Sequence, residues 1–230
     1  MWDALIIFAA YLFGAIPVVY LIGRMRGVDL SKEGDMHISL WHKVGRLEGF
    51  IGISWDIAKG AIAVVVASVF DLELWVIAGV GLAVIVGELW PVFLNFRGEK
   101  ANTTGLGMGV ALVSYQTPWV LPFAFVPIAL GAGIRTLPRL FSSKEPLDER
   151  LKFGGSPSLS LPLGMLIGFA FFPLGCWLMD LPWEVTIACL VLFILIATKR
   201  VVVDLRKELK TATSKKSILI NRFLFDRSQI

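Results

Sequence analysis

Residues 101–134 contain no charged side chain, yet basic residues stand at both ends, Arg97 and Lys100 before and Arg135 and Arg139 after. As one helix this stretch would be about 51 Å long, against a hydrocarbon core of about 30 Å. Basic flanks stay on the cytoplasmic side of a membrane, so the number of crossings here must be even. Two tilted helices turning at Gln116-Thr117-Pro118 meet both conditions, with Pro122 and Pro127 kinking the second.

The same argument divides the other long apolar stretches. Residues 4–23 have the length of one span, residues 49–94 turn at Asp71-Leu72-Glu73, and residues 153–198 turn at Asp180-Leu181-Pro182-Trp183-Glu184. The sequence therefore predicts an all-α, polytopic integral membrane protein of about seven transmembrane helices. Its N-terminus lies outside and its C-terminus in the cytoplasm. All 22 Lys and Arg then fall on or near the cytoplasmic face, while Asp3, Asp71, Glu73, Asp180 and Glu184 fall outside. With 56% hydrophobic and 17% charged residues in 230, no length remains for a large soluble catalytic domain.

Polar chemistry is confined to cytoplasmic loops near 24–48, 95–104 and 135–158 within a single transmembrane domain, 1–198, and to a basic tail, 199–230. The tail carries nine basic and three acidic residues. Val201, Val202, Leu205 and Leu209 alternate in it with Arg200, Arg206, Lys207 and Lys210 at helical spacing, which predicts an interfacial amphipathic helix. No zinc-type or aromatic-interleaved pattern accompanies the charge, so anionic lipid is the expected partner and nucleic acid is not. Asp3 in place of a basic stretch argues against a cleavable signal peptide. Cys176 and Cys189, in apolar runs without metal-ligand spacing, read as buried small hydrophobes, and no metal is expected.

Several side chains are candidates for chemistry. The run from Phe96 through Arg97-Gly98-Glu99-Lys100 to Thr103-Thr104 leads into a helix, and a glycine turn, basic side chains, hydroxyls and a helix N-terminus suit a phosphate group. Glu99 opposes it; an ordinary turn with a threonine cap is the plainer reading. Asp56 and Lys59, three apart on one helical face, are a buried pair or a snorkelling lysine with its own counterion. Glu88 is a second ionisable group within a span, without a local partner. His37 and His42 lie in the first loop, where an imidazole can act as general base toward a hydroxyl. Gly154-Gly155-Ser156-Pro157-Ser158-Leu159-Ser160 forms another anion corner or a capped linker.

Taken together, Tyr11-Leu12-Phe13-Gly14-Ala15-Ile16-Pro17, Gly27-Val28-Asp29-Leu30, Asp56, Lys59, Gly60, Gly87, Trp90-Pro91-Val92-Phe93-Leu94, Phe96-Arg97-Gly98, Lys100, Thr104 and Gly107 resemble one family. It is that of the bacterial acyl-phosphate-dependent glycerol-3-phosphate acyltransferases of the PlsY type, matched collinearly over the first half of the chain. The resemblance implies a seven-helix fold in a bacterial plasma membrane with its active face cytoplasmic. It also implies transfer of an acyl group from acyl phosphate to glycerol 3-phosphate, forming lysophosphatidic acid in phospholipid biosynthesis, with no metal or cofactor.

The chain also departs from that pattern. The family's Gly-Ser-Gly-Asn is Gly34-Asp35-Met36-His37 here, and its Gly-Ala-Thr-Asn is Ser39-Leu40-Trp41-His42. In its Gly-Gly-Lys-Gly the second glycine is Glu99 and the third is Ala101, and its Gly-His is Gly87-Glu88. The expected site accordingly has His37 and His42 as catalytic candidates. Lys59, Arg97, Lys100, Thr104, Ser158 and Ser160 are phosphate ligands, with Asp56, Gly60 and Gly98 as structural support. The alternative is a catalytically silent scaffold or lipid-binding paralogue of the family.

Overall fold

The computed structural model describes residues 2–31, 33, 35–141, 159–203, 205 and 215–226, and among these every regular element is helical. The first apolar stretch is two helices, α1 (Trp2–Gly14) and α2 (Val18–Met25), because Pro17 has no N–H to continue the ladder. Val18 N–H donates to Ile16 O instead of to Gly14 O, so the Gly14 carbonyl is left without its helical donor. A short helix follows, α3 (Met36–Lys43), within what the sequence reads as loop. Its N-cap is Asp35, whose carboxylate accepts from Ile38 N–H at 3.0 Å.

The hairpins form where the acidic turns predict them. Helix α4 (Arg46–Val69) ends just before Asp71, and α5 (Leu74–Leu89) begins just after Glu73, continuing through a 3-10 turn at Val92–Leu94. Helix α6 (Asn102–Ser114) breaks at Gln116-Thr117-Pro118, where Thr117 caps a 3-10 turn leading into α7 (Leu121–Leu140). Helices α8 (Ser160–Leu178) and α9 (Trp183–Val202) flank the third acidic turn, and α10 (Lys215–Phe225) closes the chain. Part of the expected amphipathic stretch, including Arg206, Lys207, Leu209 and Lys210, lies outside the described residues, as does most of loop 135–158.

Among the described residues, six segments have the length and apolar character to cross a membrane: Trp2–Met25, Arg46–Val69, Leu74–Leu94, Pro118–Pro138, Ser160–Leu178 and Trp183–Val202. The protein is thus a polytopic α-helical membrane protein. The seventh expected span, α6, has 13 residues, about 20 Å of helix, and does not reach across the hydrocarbon core alone. It lies inside the bundle instead, with Thr104, Gly105, Gly107, Met108, Gly109, Leu112 and Val113 buried.

Helices in lipid lack a hydrophobic drive to associate, so close backbone approach through small residues matters more than in water. A Cβ on Gly60 of α4 would strike the Thr104 carbonyl and Met108 N of α6, and one on Gly107 of α6 would strike Ile57 O. Gly14 and Gly87 join α1 to α5 in the same way, and Gly131 and Gly164 join α7 to α8. Around these seams pack Val84, Ile85, Leu89, Met108, Leu112, Phe169, Phe172 and Leu192, while Trp2, Leu5, Phe8, Leu130 and Ile134 face outward. Cys176 and Cys189 are buried, as expected, with their sulfurs 3.8 Å apart.

Gly60→Val should separate α4 from α6 and lower the thermal unfolding midpoint of the detergent-solubilised protein by several degrees, whereas Gly133→Ala in α7, whose Cβ would meet Leu137 at an ordinary 3.8 Å, should shift it much less. Equal shifts for the two variants would remove the close-packing account of the seam.

Candidate functional site

Five ionisable side chains from four segments meet where α1 breaks. Lys59, on α4, places its ammonium 3.0 Å from Asp56 Oδ1 and 3.0 Å from Glu88 Oε2, and donates to the freed Gly14 carbonyl at 3.5 Å. An ammonium has three donors, and these three acceptors use them. Thr104 of α6 donates its hydroxyl to Glu88 Oε2. Asp56, Lys59, Glu88 and Thr104 are all buried, with 6% exposure or less, so each charge depends on its partners rather than on water.

The second half of the cluster comes from the loops. His37 of α3 points Nε2 at Asp56 Oδ2, 3.0 Å away, and at Glu99 Oε2, 2.8 Å away. The other Glu99 oxygen accepts from Met36 N–H at 2.9 Å, so the loop after α5 is tied to the start of α3 twice. Burial pushes the His37 pKa down, but Glu99 and Asp56 outweigh it and raise it to about 11. Two buried polar atoms here, His37 Nδ1 and Glu88 Oε1, have no hydrogen-bond partner among the described residues. A narrow cleft bordered by Gly14 to Tyr20, Met36, Asp56, Lys59, Glu88, Gly98 and Glu99 leaves about 30 Å³, room for about two water molecules.

The loop itself is held in an unusual backbone. Asn95, Phe96 and Ala101 have φ of 51°, 62° and 53°, the left-handed region. Gly98 allows the loop to lie on the end of α5, since a Cβ there would strike Glu88 O and Pro91. Gly60 and Gly98 both let backbone approach backbone beside the cluster.

A second, cationic group forms at the ends of α6, α8 and α9. Lys199 donates to Leu89 O and lies over the Trp90 ring, 5.2 Å from its centroid. Arg200 reaches Pro162 O at 2.9 Å and Asn102 Oδ1 at 3.5 Å, and Arg222 of α10 donates to Val203 O. Lys100 is half-buried beside this group, paired with Asp226 at 2.7 Å.

The expected site residues thus divide. His37, Asp56 and Lys59 come together, with Asp56 paired to both of the others. Lys59 has its donors filled by protein acceptors rather than open to a phosphate, and His37, held as an imidazolium between two carboxylates, offers no base at Nε2. His42 is exposed on the last turn of α3, away from the cluster on the helical wheel. Arg97 is exposed, Thr104 is engaged by Glu88, and Ser160 donates to Gly131 O at 2.9 Å, while Ser158 lies outside the described residues. Sequence reasoning left out Glu88 as a site residue, although a carboxylate within a span is itself a signal. It set Glu99 against ligand binding, gave no role to Lys199 or Asp226, and read Arg200 as part of a lipid-facing helix, whereas Arg200 is buried.

A double-mutant cycle on His37→Gln and Glu99→Gln, read by chemical unfolding in detergent, should give a coupling of about 1–3 kcal/mol. Additive effects would mean that the 2.8 Å contact contributes nothing to the fold.

The family model described as glycerol-3-phosphate acyltransferase matches residues 4–211. Among curated relatives, the glycerol-3-phosphate acyltransferase of Rubrobacter xylanophilus is 33% identical over 159 residues, covering 64% of this chain and 80% of the relative. That of Thermus thermophilus is 35% identical over 133 residues, covering 56% and 65%. Glycerol-3-phosphate acyltransferase 4 of Dehalococcoides mccartyi is 36% identical over 142 residues, covering 56% and 61%. Two crystal structures of PlsY, an integral membrane glycerol 3-phosphate acyltransferase, share the fold. They are the glycerol 3-phosphate form (TM-score 0.67) and the lysophosphatidic acid form (TM-score 0.66). Each is 23% identical, with 92% of this chain and 93% of that chain covered.

Proposed function

The chain belongs to the glycerol-3-phosphate acyltransferase family, and on that premise we propose that it transfers an acyl group from acyl phosphate to glycerol 3-phosphate, forming lysophosphatidic acid for phospholipid synthesis. The observation that carries the reading is the family match over residues 4–211, which spans the candidate site as well as the helices around it. The site faces the cytoplasm of a bacterial cell, the N-terminus lies outside, the seven-helix count includes the short α6, and the basic segment 199–230 meets anionic lipid.

Acyl phosphate is already activated. The glycerol hydroxyl attacks the carbonyl carbon, the acyl–oxygen bond to phosphate breaks, and the departing phosphate takes the hydroxyl proton, so ester and hydrogen phosphate balance the reaction. The work left to the protein is positioning two substrates and stabilising the charge that develops on the carbonyl oxygen. A base at His37 is unnecessary in this scheme, and its carboxylate clamp reserves it for holding the loops. His42, exposed on α3, remains the imidazole available to solvent.

For the substrate phosphate we assign Lys100 and Arg97, with Arg200 and Asn102 beside the first turn of α6. Lys100 supports this best, since it is half-buried and its counterion Asp226 is supplied by the C-terminal segment, from which a dianionic phosphate can take it over. Ser158 and Ser160 are the remaining candidates, at the start of α8. Lys59 and Thr104 act one step back, holding Glu88 and the α4–α6 seam.

Purified protein in lipid nanodiscs, given radiolabelled glycerol 3-phosphate and palmitoyl phosphate, should form lysophosphatidic acid, with palmitoyl-CoA as control donor. Lys100→Ala should lower kcat/KM at least about tenfold, the loss expected for one charged hydrogen bond. Asp226→Asn should lower the KM for glycerol 3-phosphate. No product from either donor would mark the chain as a silent member of its family.

A further inference from the structure

The arrangement of donors around His37 has a second use besides ion pairing. In three carboxylates one oxygen is fixed from outside the cluster. Asp56 Oδ1 is held by Lys59, Glu99 Oε1 by Met36 N–H, and Glu88 Oε2 by Lys59 and Thr104. The other oxygens are turned to a common centre or left without a partner: Asp56 Oδ2 and Glu99 Oε2 face His37 Nε2, and Glu88 Oε1 is unpartnered on a side chain only 6% exposed. Such outer hydrogen bonds are what orient carboxylates around a metal ion.

From this we infer that His37 Nε2, Asp56, Glu88 and Glu99 form a binding site for one divalent transition-metal ion at the mouth of the cleft.

The distances agree. At a metal–ligand length of about 2.1 Å, neighbouring ligands of an octahedron stand about 3.0 Å apart and opposite ones about 4.2 Å. One ligand atom from each of the four residues lies within 4.8 Å of the others, and the two contacts of Nε2 are 2.8 and 3.0 Å. The charges agree as well: once the ion displaces the Nε2 proton of His37, three carboxylates against the single Lys59 leave two negative charges, which a divalent ion cancels. One imidazole with oxygen donors suits Mn²⁺, Fe²⁺ or Zn²⁺ better than a soft thiophilic ion. The cleft of about 30 Å³ beside Asp56, Glu88 and Glu99 has space for the water ligands that complete the shell.

The inference is independent of acyl transfer, since it is read from metal binding alone. The full chain in detergent, stripped with chelator and titrated with Mn²⁺, should take up one equivalent, and pulsed electron paramagnetic resonance should detect nitrogen coupling from a bound imidazole. Glu99→Gln should weaken Mn²⁺ binding at least about tenfold, and His37→Gln should abolish the nitrogen coupling. Glu73→Gln, at the opposite end of α5, should change neither. Substoichiometric uptake, absence of nitrogen coupling in the unmodified chain, or binding untouched by Glu99→Gln would each overturn the site. The spectrum of the unmodified chain decides the matter even if a variant fails to fold.

Discussion

The Lys59 ammonium is the point on which the site-bearing half of this molecule turns. A lysine buried at membrane depth is tolerated only when protein replaces its hydration shell. Here the replacement draws on three helices: Asp56 from its own, Glu88 from α5, and the Gly14 carbonyl from α1. The last of these exists because Pro17 interrupts the first span, so a break that looks like a weakness in a transmembrane helix supplies an acceptor that an intact helix would have used internally.

From that centre the constraint spreads outward. Glu88 is fixed by Lys59 and by Thr104 of α6, and Thr104 can sit there because Gly60 and Gly107 bring α4 and α6 into backbone contact. Asp56, held on one side by Lys59, presents its other oxygen to His37, and His37 in turn holds Glu99 and the loop before α6. Charge, close packing and loop conformation form one connected system. The short α6 fits the same logic, since its first turn has to begin at the depth of Glu88 for Thr104 to reach it.

The hairpins were legible in the sequence because charge and turn chemistry are local. Asp71 to Glu73 and Asp180 to Glu184 mark turns whatever surrounds them. What stayed hidden was pairing at a distance. Glu88 has no partner within one helical turn in sequence, and nothing local announces Lys59, 29 positions earlier, as its counterion. Helix α3 was concealed for a different reason. It is short and polar, and only the Asp35 cap and the burial of Met36 and Leu40 give it away. The Lys100–Asp226 pair, spanning 126 positions, was beyond any periodicity argument.

The departures from the family pattern take on a different meaning once they are placed in space. His37, Glu88 and Glu99 come from three separate segments, and each alone would put an uncompensated charge into a poorly hydrated region, at a cost of several kcal/mol. Together with Asp56 and Lys59 they form contacts of 2.8 to 3.0 Å. A site drifting into disuse has no physical reason to gather its changes at one point or to match their signs. A glycine-rich cradle is flexible and held by its ligand, whereas this one is held by its own side chains before any ligand arrives. The cost of ordering the loops is then met on folding rather than on binding, which is the energetic sense in which this version of the site is pre-organised.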